Sequence, residues 1–345
     1  MASKYIGLGE ESSGYSTVTA LSGDIVYFKI LSESIETTRE DYYPETVEYW
    51  TPDTHVKGFF RAGGDFEVLM DPNQWPKLLV YFLGDPTTSA VTSSYSHVFT
   101  FGGTEAVTTS GPGPTPFTIY KGVGIEKDRQ FDGGFITAIE VEARAREVVG
   151  CTVSVTGDGT ENLITAKIPD YHMYSGQRYL TFADMTSGSI GGTDRLATAP
   201  TIEAFRLRLG RGYDTDHYVL GKEYLAAQTL HGFATVDGSM EFTFDSEDEH
   251  ERFLSIVGGT ATGTQSSFIT LFALHGDALT SGVPSMVQFS IPETHYTASE
   301  AAVTGRDRIT QTVNFRGNYH ALSGHACQVT VINDTSSYTA LANIL

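Results

Sequence analysis

The feature that most constrains this chain is a repeat. Residues 58–84 read GFFRAGGDFEVLMDPNQWPKLLVYFLG, and residues 232–258 read GFATVDGSMEFTFDSEDEHERFLSIVG. They align without a gap at an offset of 174 (232 − 58), about half of the 345-residue chain. Gly58/Gly232, Phe59/Phe233, Gly64/Gly238, Glu67/Glu241, Asp71/Asp245 and Gly84/Gly258 are identical. A second match, EVVGCTVSVTG (147–157) with DRITQTVNFRG (307–317), follows at an offset of 160 (307 − 147). The drop of 14 (174 − 160) implies extra chain in the first copy, and the turn-rich stretch 86–116 reads as an added loop. Self-similarity on this scale calls for two copies of one structural unit.

Each copy has a local reading. Phe66, Val68 and Met70 alternate with Glu67, as Met240, Phe242 and Phe244 alternate with Glu241, so both segments read as strands with one apolar face. Gly63-Gly64 and Asp237-Gly238 read as tight hairpin turns leading into those strands. A helix follows each strand. In the first copy Pro76 pushes its start to about Asn73 or Gln74, and Trp75, Leu78, Leu79 and Phe82 form one apolar stripe. In the second, Asp245 is the expected cap, Glu247, Asp248 and Glu249 suit the positive end of the dipole, and His250, Phe253, Leu254 and Val257 repeat the stripe. Gly84 and Gly258 close the two helices. Between the matches, Phe135 to Arg144 alternates as a long strand with one polar face.

The expected map is an N-terminal arm (1–24), a first domain (25–160), a connecting region (161–200), a second domain (201–335) and a short tail (336–345). The end of the connector, MTSGSIGGTDRLATAP, reads as a flexible hinge. The fold class is mainly β with short helices.

Composition narrows the function. Forty-two acidic against 22 basic residues leave a net charge of −20, which opposes nucleic-acid binding as a primary role. An acidic, lysine-poor chain also suits work in high salt. No apolar run approaches the roughly 20 residues that span a bilayer, and the N-terminus lacks the basic and apolar regions of a signal peptide. Cys151 and Cys327 form no metal or redox motif and read as small buried hydrophobes.

Signatures of catalysis are weak. Gly122-Val123-Gly124 lacks the third glycine and the βαβ setting of a dinucleotide loop, and no P-loop, H-E-x-x-H or nucleophile elbow occurs. His320 and His325 lie in a loop without further ligands nearby, and the acidic run 245–251 reads as a solvated helix start. No catalytic residue, metal site or cofactor is assigned. A glycosidase would need a cleft with one carboxyl group of raised pKa, and no such pair stands out.

The sequence resembles the tail tube proteins of long-tailed phages and archaeal tailed viruses. The likeness rests on DRQFDG (128–133) followed by FITAIEVEARAREVVGCTVSVTG, and on KILSESIETTREDYYPETVEYWTPDTHVKGFF before the first matched segment. It covers 25–160 well and 201–335 more weakly, because the second half lacks the D-x-x-F-x-G element. The resemblance implies a structural virion protein with two tandem β-sandwich domains, each with a flanking helix. Such subunits form stacked rings of six domains whose strands close an intersubunit β-barrel around a channel for DNA, so three chains would make a pseudo-hexameric ring. Implied partners are further copies of the chain, the tail terminator, the tape measure and the tail-tip or baseplate proteins; DNA would pass without specific binding. The stretch 37–56, with Tyr42, Tyr43, Tyr49 and Trp50, is the candidate inter-ring loop, and Glu67 and Glu241 are candidate lumen-facing residues. The alternative is another β-rich virion or surface protein: a baseplate component, an adhesin or a carbohydrate-binding module.

Overall fold

The computed structural model describes residues 4–11, 25–44, 51, 55–103, 116–123, 126–169, 179–190, 193–194, 202–225, 229–230, 232–244, 248–254, 256–257, 260–261, 268–279, 282–302 and 309–338. The first half contributes β1 (Tyr5–Glu10), β2 (Ile25–Phe28), β3 (Ile30–Glu33), β4 (Glu36–Arg39), β5 (Phe60–Leu69), α1 (Trp75–Leu83), β6 (Thr87–Val91), β7 (Ser94–Phe101), β8 (Phe117–Gly122), β9 (Lys127–Arg144), β10 (Gly150–Gly157) and β11 (Glu161–Thr165). The second contributes β12 (Met185–Ile190), β13 (Thr193–Asp194), β14 (Ile202–Gly210), β15 (Tyr213–Asp214), β16 (Thr229–Leu230), β17 (Thr235–Thr243), α2 (Asp248–Phe253), β18 (Ile256–Val257), β19 (Thr260–Ala261), β20 (Phe268–Ala278), β21 (Pro284–Ala302), β22 (Thr310–Gly317) and β23 (Cys327–Asn333). The protein is mainly β, and its strands pair antiparallel in one large sheet system with two small ribbons.

The offsets found in the sequence reappear as strand register. Glu67 lies opposite Thr152 and Phe66 opposite Val153; Glu241 lies opposite Thr312 and Met240 opposite Val313. Thr137 is skipped where β9 pairs β10, and Thr297 is skipped where β21 pairs β22. The bulges are 160 residues apart (297 − 137). A second bulge pair sits at Leu31 in β3 and Glu203 in β14, again at matching points against β5 and β17. A bulge is a specified local kink, so two coincident pairs are structural likeness beyond the sequence match.

Two four-stranded stretches therefore run β4–β5–β10–β9 and β14–β17–β22–β21, and β9 pairs β14 to join them. The two long strands each serve a second group as well. The N-terminal part of β9 pairs β8 and β11, with β1 and β2 beyond β8. The N-terminal part of β21 pairs β20 and β23, with β12 and β13 beyond β20. One apolar core runs through both halves.

Several expectations need correction. The Gly-Gly and Asp-Gly pairs are not turns: β5 and β17 run straight through them, each between two partner strands. Glycine is needed there for close approach. A Cβ on Gly64, whose φ is +151°, would lie 2.5 Å from the Ser34 carbonyl oxygen, and one on Gly238 would lie 2.3 Å from the Phe315 ring. The stretch 86–116 is not simply a loop, because its alternating residues form the β6–β7 hairpin. β7 then pairs β23 of the other half, from Phe101 opposite Cys327 to Tyr95 opposite Asn333. Met185–Ile190, read as hinge, is strand β12 bound to β20.

Helix α1 follows its expectation: Gln74 is its N-cap, Gly84 has φ +89°, and Trp75, Leu78, Leu79 and Phe82 are buried. Helix α2 does not. It ends at Phe253, leaves Leu254 45% exposed, and gives Val257 to β18. Six residues make fewer than two turns, so the four-residue stripe cannot all lie on it. The expected cap Asp245 and closing Gly258 lie outside the described residues. Cys151 and Cys327 are free and buried, which pushes both thiols up to about 12, and the Trp75 indole N–H donates to the Cys151 sulfur at 3.0 Å.

Candidate assembly surface

Period-2 alternation gives the joined eight-stranded stretch one apolar face and one polar face. Directly opposed across successive strands on the polar side are Glu67, Thr152, Glu140, Arg208, Asp237 and Arg316. Glu241 occupies the same side, between Ala204 and Thr312. Arg206 binds Glu140 at 2.6 Å, Arg144 binds Glu142 at 2.7 Å and Arg316 binds Asp237 at 2.8 Å. These arginines are more than half exposed, so such pairs add at most about 1 kcal/mol each. Their main effect is to keep the face wetted. Ser32 donates to Glu67 at 3.2 Å.

The seam between halves is fully knit. Leu207 lies opposite Val141, Arg208 opposite Glu140 and Leu209 opposite Ile139. The backbone N–H of Ala145 reaches the Glu203 carbonyl at 2.8 Å, and that of Arg211 reaches Thr137 at 2.8 Å. Beneath the seam Phe205 of β14 and Phe272 of β20 bring their ring centroids to 3.7 Å.

At the ends of the joined stretch the corresponding strands lie open. Among the described residues β3 and β4 pair only β5, and Ala298–Ala302 of β21 pair only β22. The backbone of Ser34 bonds Asp65 and that of Glu40 bonds Phe59, so by alternation the groups of Ile35 and Thr37 face away from β5. At Ile35 both outward groups are taken by side chains. The Glu33 carboxylate accepts from its N–H at 3.2 Å, and the Lys121 ammonium donates to its C=O at 2.8 Å. Glu33 and Lys121 are themselves 2.6 Å apart. Their positions match those of the phenylalanines under the closed seam. Glu33 lies opposite Phe66 as Phe205 lies opposite Met240. Lys121 lies opposite Arg129 as Phe272 lies opposite Phe289, 160 residues on (289 − 129).

The β4–β5 and β14–β17 connections are both long. Tyr42 exchanges two backbone hydrogen bonds with Val56 (2.8 and 2.7 Å), which ties the base of the first. Tyr42 and Tyr43 are exposed; Tyr49 and Trp50 lie outside the described residues. The second connection lies on the first half: Tyr218 packs on Phe59 with centroids 4.5 Å apart, Tyr224 stacks on Phe60 at 5.5 Å, and Arg61 pairs with Asp216. Phe233, the repeat partner of Phe59, is 93% exposed.

The DRQFDG element anchors the N-terminal strand. Asp128 accepts from the Tyr5 hydroxyl, and burial with this carboxylate beside it raises the phenol well above its usual range. The Gly133 N–H donates to Glu11 at 2.8 Å, and Phe131 is fully buried. Burial also pushes Asp132 up to about 6, with Asp158 and Glu11 adding to the effect against hydrogen bonds from Gln130 and Asn162. Sequence reasoning missed the Glu33–Lys121 pair, because each residue alone reads as an ordinary surface charge. Strand register against the repeat was the signal that reveals it.

These features define a structural β-protein whose organised surfaces are a broad sheet face and two strand edges. The model of the phage tail tube protein family matches residues 2–317, and the chain belongs to that family. It is a structural protein of the virion tail. No curated protein matches the chain.

Proposed function

We propose that the chain carries two tube domains, and that copies join side by side into rings which stack as a hollow tail tube for genome delivery. The observation that carries this reading is the β9–β14 pairing. It joins two four-stranded stretches of matching register, and it leaves the strands that correspond to β14 and β9 open at the two ends. A ring of three chains repeats that join three more times and closes both open ends of the joined stretch, which an open sheet needs to avoid uncontrolled pairing. Lateral closure accounts for the ring, and contacts along the tube axis account for stacking.

The polar face, with Glu67 and Glu241, lines the channel in this reading. Carboxylates there repel phosphate and let DNA slide. Mass measurement of isolated rings tests the stoichiometry: three chains are expected, and six full-length chains per ring would overturn it. Replacing Glu67 and Glu241 by Lys should slow DNA ejection, and unchanged ejection would remove them from the lumen.

A further inference from the structure

We infer that the open edge of β3 and β4 receives residues 298–302 of the next copy in one fixed register, with Ile35 opposite Ala301, and that the Glu33–Lys121 pair is a latch over that edge in the free subunit. This rests on the tube reading and adds the residues of the contact and their control.

The register transfers from the closed seam. Bulge and pairing relate β14 to β3 and β4 by 172 (204 − 32, both opposite the matched glutamates). They relate β9 to β21 by 160 (297 − 137). Leu207 opposite Val141 therefore becomes Ile35 opposite Ala301, and Arg208 opposite Glu140 becomes Glu36 opposite Glu300. Ile35 and Ala301 take the place of a pair that exchanges backbone hydrogen bonds, whereas Glu36 and Glu300 meet as a closer, non-bonded pair. Phe233 supports the same placement independently. A copy seated on β21 brings its own β4–β5 connection over Phe233, as the β14–β17 connection covers Phe59 within the chain.

The latch follows from what already occupies Ile35. Its N–H and C=O are the groups the incoming strand must bond, and the Glu33 carboxylate and Lys121 ammonium hold them. The closed seam has Phe205 and Phe272 at those positions, which leave the Leu207 backbone to Val141. Pairing with the next copy requires the carboxylate to leave the Ile35 N–H. Charged side chains turned onto a strand edge are a known means of keeping it from premature pairing.

The test uses full-length chain with paired cysteines. Cys151 and Cys327 are fully buried and do not compete. Under mild oxidation of assembled tubes, E36C/E300C should link chains covalently, since a non-bonded pair brings Cα atoms to about 4.5 Å, within disulfide reach. T38C/E300C, displaced by two residues, should stay unlinked. Linking of the displaced pair, or tubes of E36C/E300C that never link, overturns the register while the tube reading stands. Wild-type protein that forms no tubes or rings by electron microscopy, alone or with tail-tip components, overturns the tube reading itself. For the latch, E33Q and K121M should each shorten the lag before light scattering rises, with circular dichroism confirming a folded subunit. An unchanged or longer lag in folded variants overturns the latch.

Discussion

The closed seam at β14 and the open edge at β3 and β4 occupy matching places and are built from opposite chemistry. Under the closed seam two phenylalanines pack with their rings tilted, and arginines meet glutamates across it. At the open edge an ion pair replaces the rings, and Ser34 and Glu36 stand where Arg206 and Arg208 stand. A join made once, during folding, can be hydrophobic and final. A join that must wait for a partner has its backbone groups covered by charges that water can reclaim. In the proposed ring, the same backbone geometry thus gives a permanent contact or a conditional one, according to two side-chain positions.

The largest expected effect comes from breaking the permanent side. Phe272→Ala empties a fully buried ring site and should cost the subunit about 3–5 kcal/mol in urea unfolding. Lys121→Met, at the corresponding open-edge position, should cost no more than about 1.5 kcal/mol. Equal losses would mean that the two places do not differ as a permanent and a conditional join should. Next are the repeat-related phenylalanines. Phe59→Ala should destabilise the free subunit by about 1–2 kcal/mol, since Tyr218 covers it, whereas Phe233→Ala should leave unfolding within about 0.5 kcal/mol and lower tube yield instead. Glu36→Arg restores the charge pattern of the closed seam and should raise the temperature at which tubes dissociate, with an effect that fades as salt is added.

A pH-dependent effect concerns Asp132, whose clamp occurs, among the described residues, only in the first half. Its carboxyl group is raised to about 6 in the fold from an unfolded value near 4. The stability it contributes is present below the unfolded pKa and is lost as pH rises through about 6. Asp132→Asn should therefore raise the thermal midpoint at pH 7.5 and change it little at pH 4. A shift of equal size at both values would place the effect in packing.

The sheet was largely legible in the sequence because alternation and repeat offset both survive as geometry. Phe66, Val68, Met240 and Phe242 are buried, and Glu67 and Glu241 share a face, as the pattern requires. Gly63-Gly64 and Asp237-Gly238 misled because a turn dipeptide and a close-approach glycine look alike until the neighbouring strand is known. The β6–β7 hairpin was hidden because its partner β23 is far away in sequence. Helix α2 is shorter than its apolar stripe because the chain leaves the helix at Phe253. Of the candidate assembly surface, the shared face of the two glutamates could be read directly, but the Glu33–Lys121 pair could not. Glu33 and Lys121 come from separate strands, and only their common grip on Ile35 gives them meaning.

The pairing of β7 with β23 also bears on synthesis. Strand β7 leaves the ribosome 226 residues (327 − 101) before β23, so the hairpin must stand without its permanent neighbour while the intervening chain is made. The first half cannot be completed by itself during translation. Its last closure is timed by the arrival of residues 327–333, and a nascent chain stalled before them would present an unpaired hairpin to chaperones.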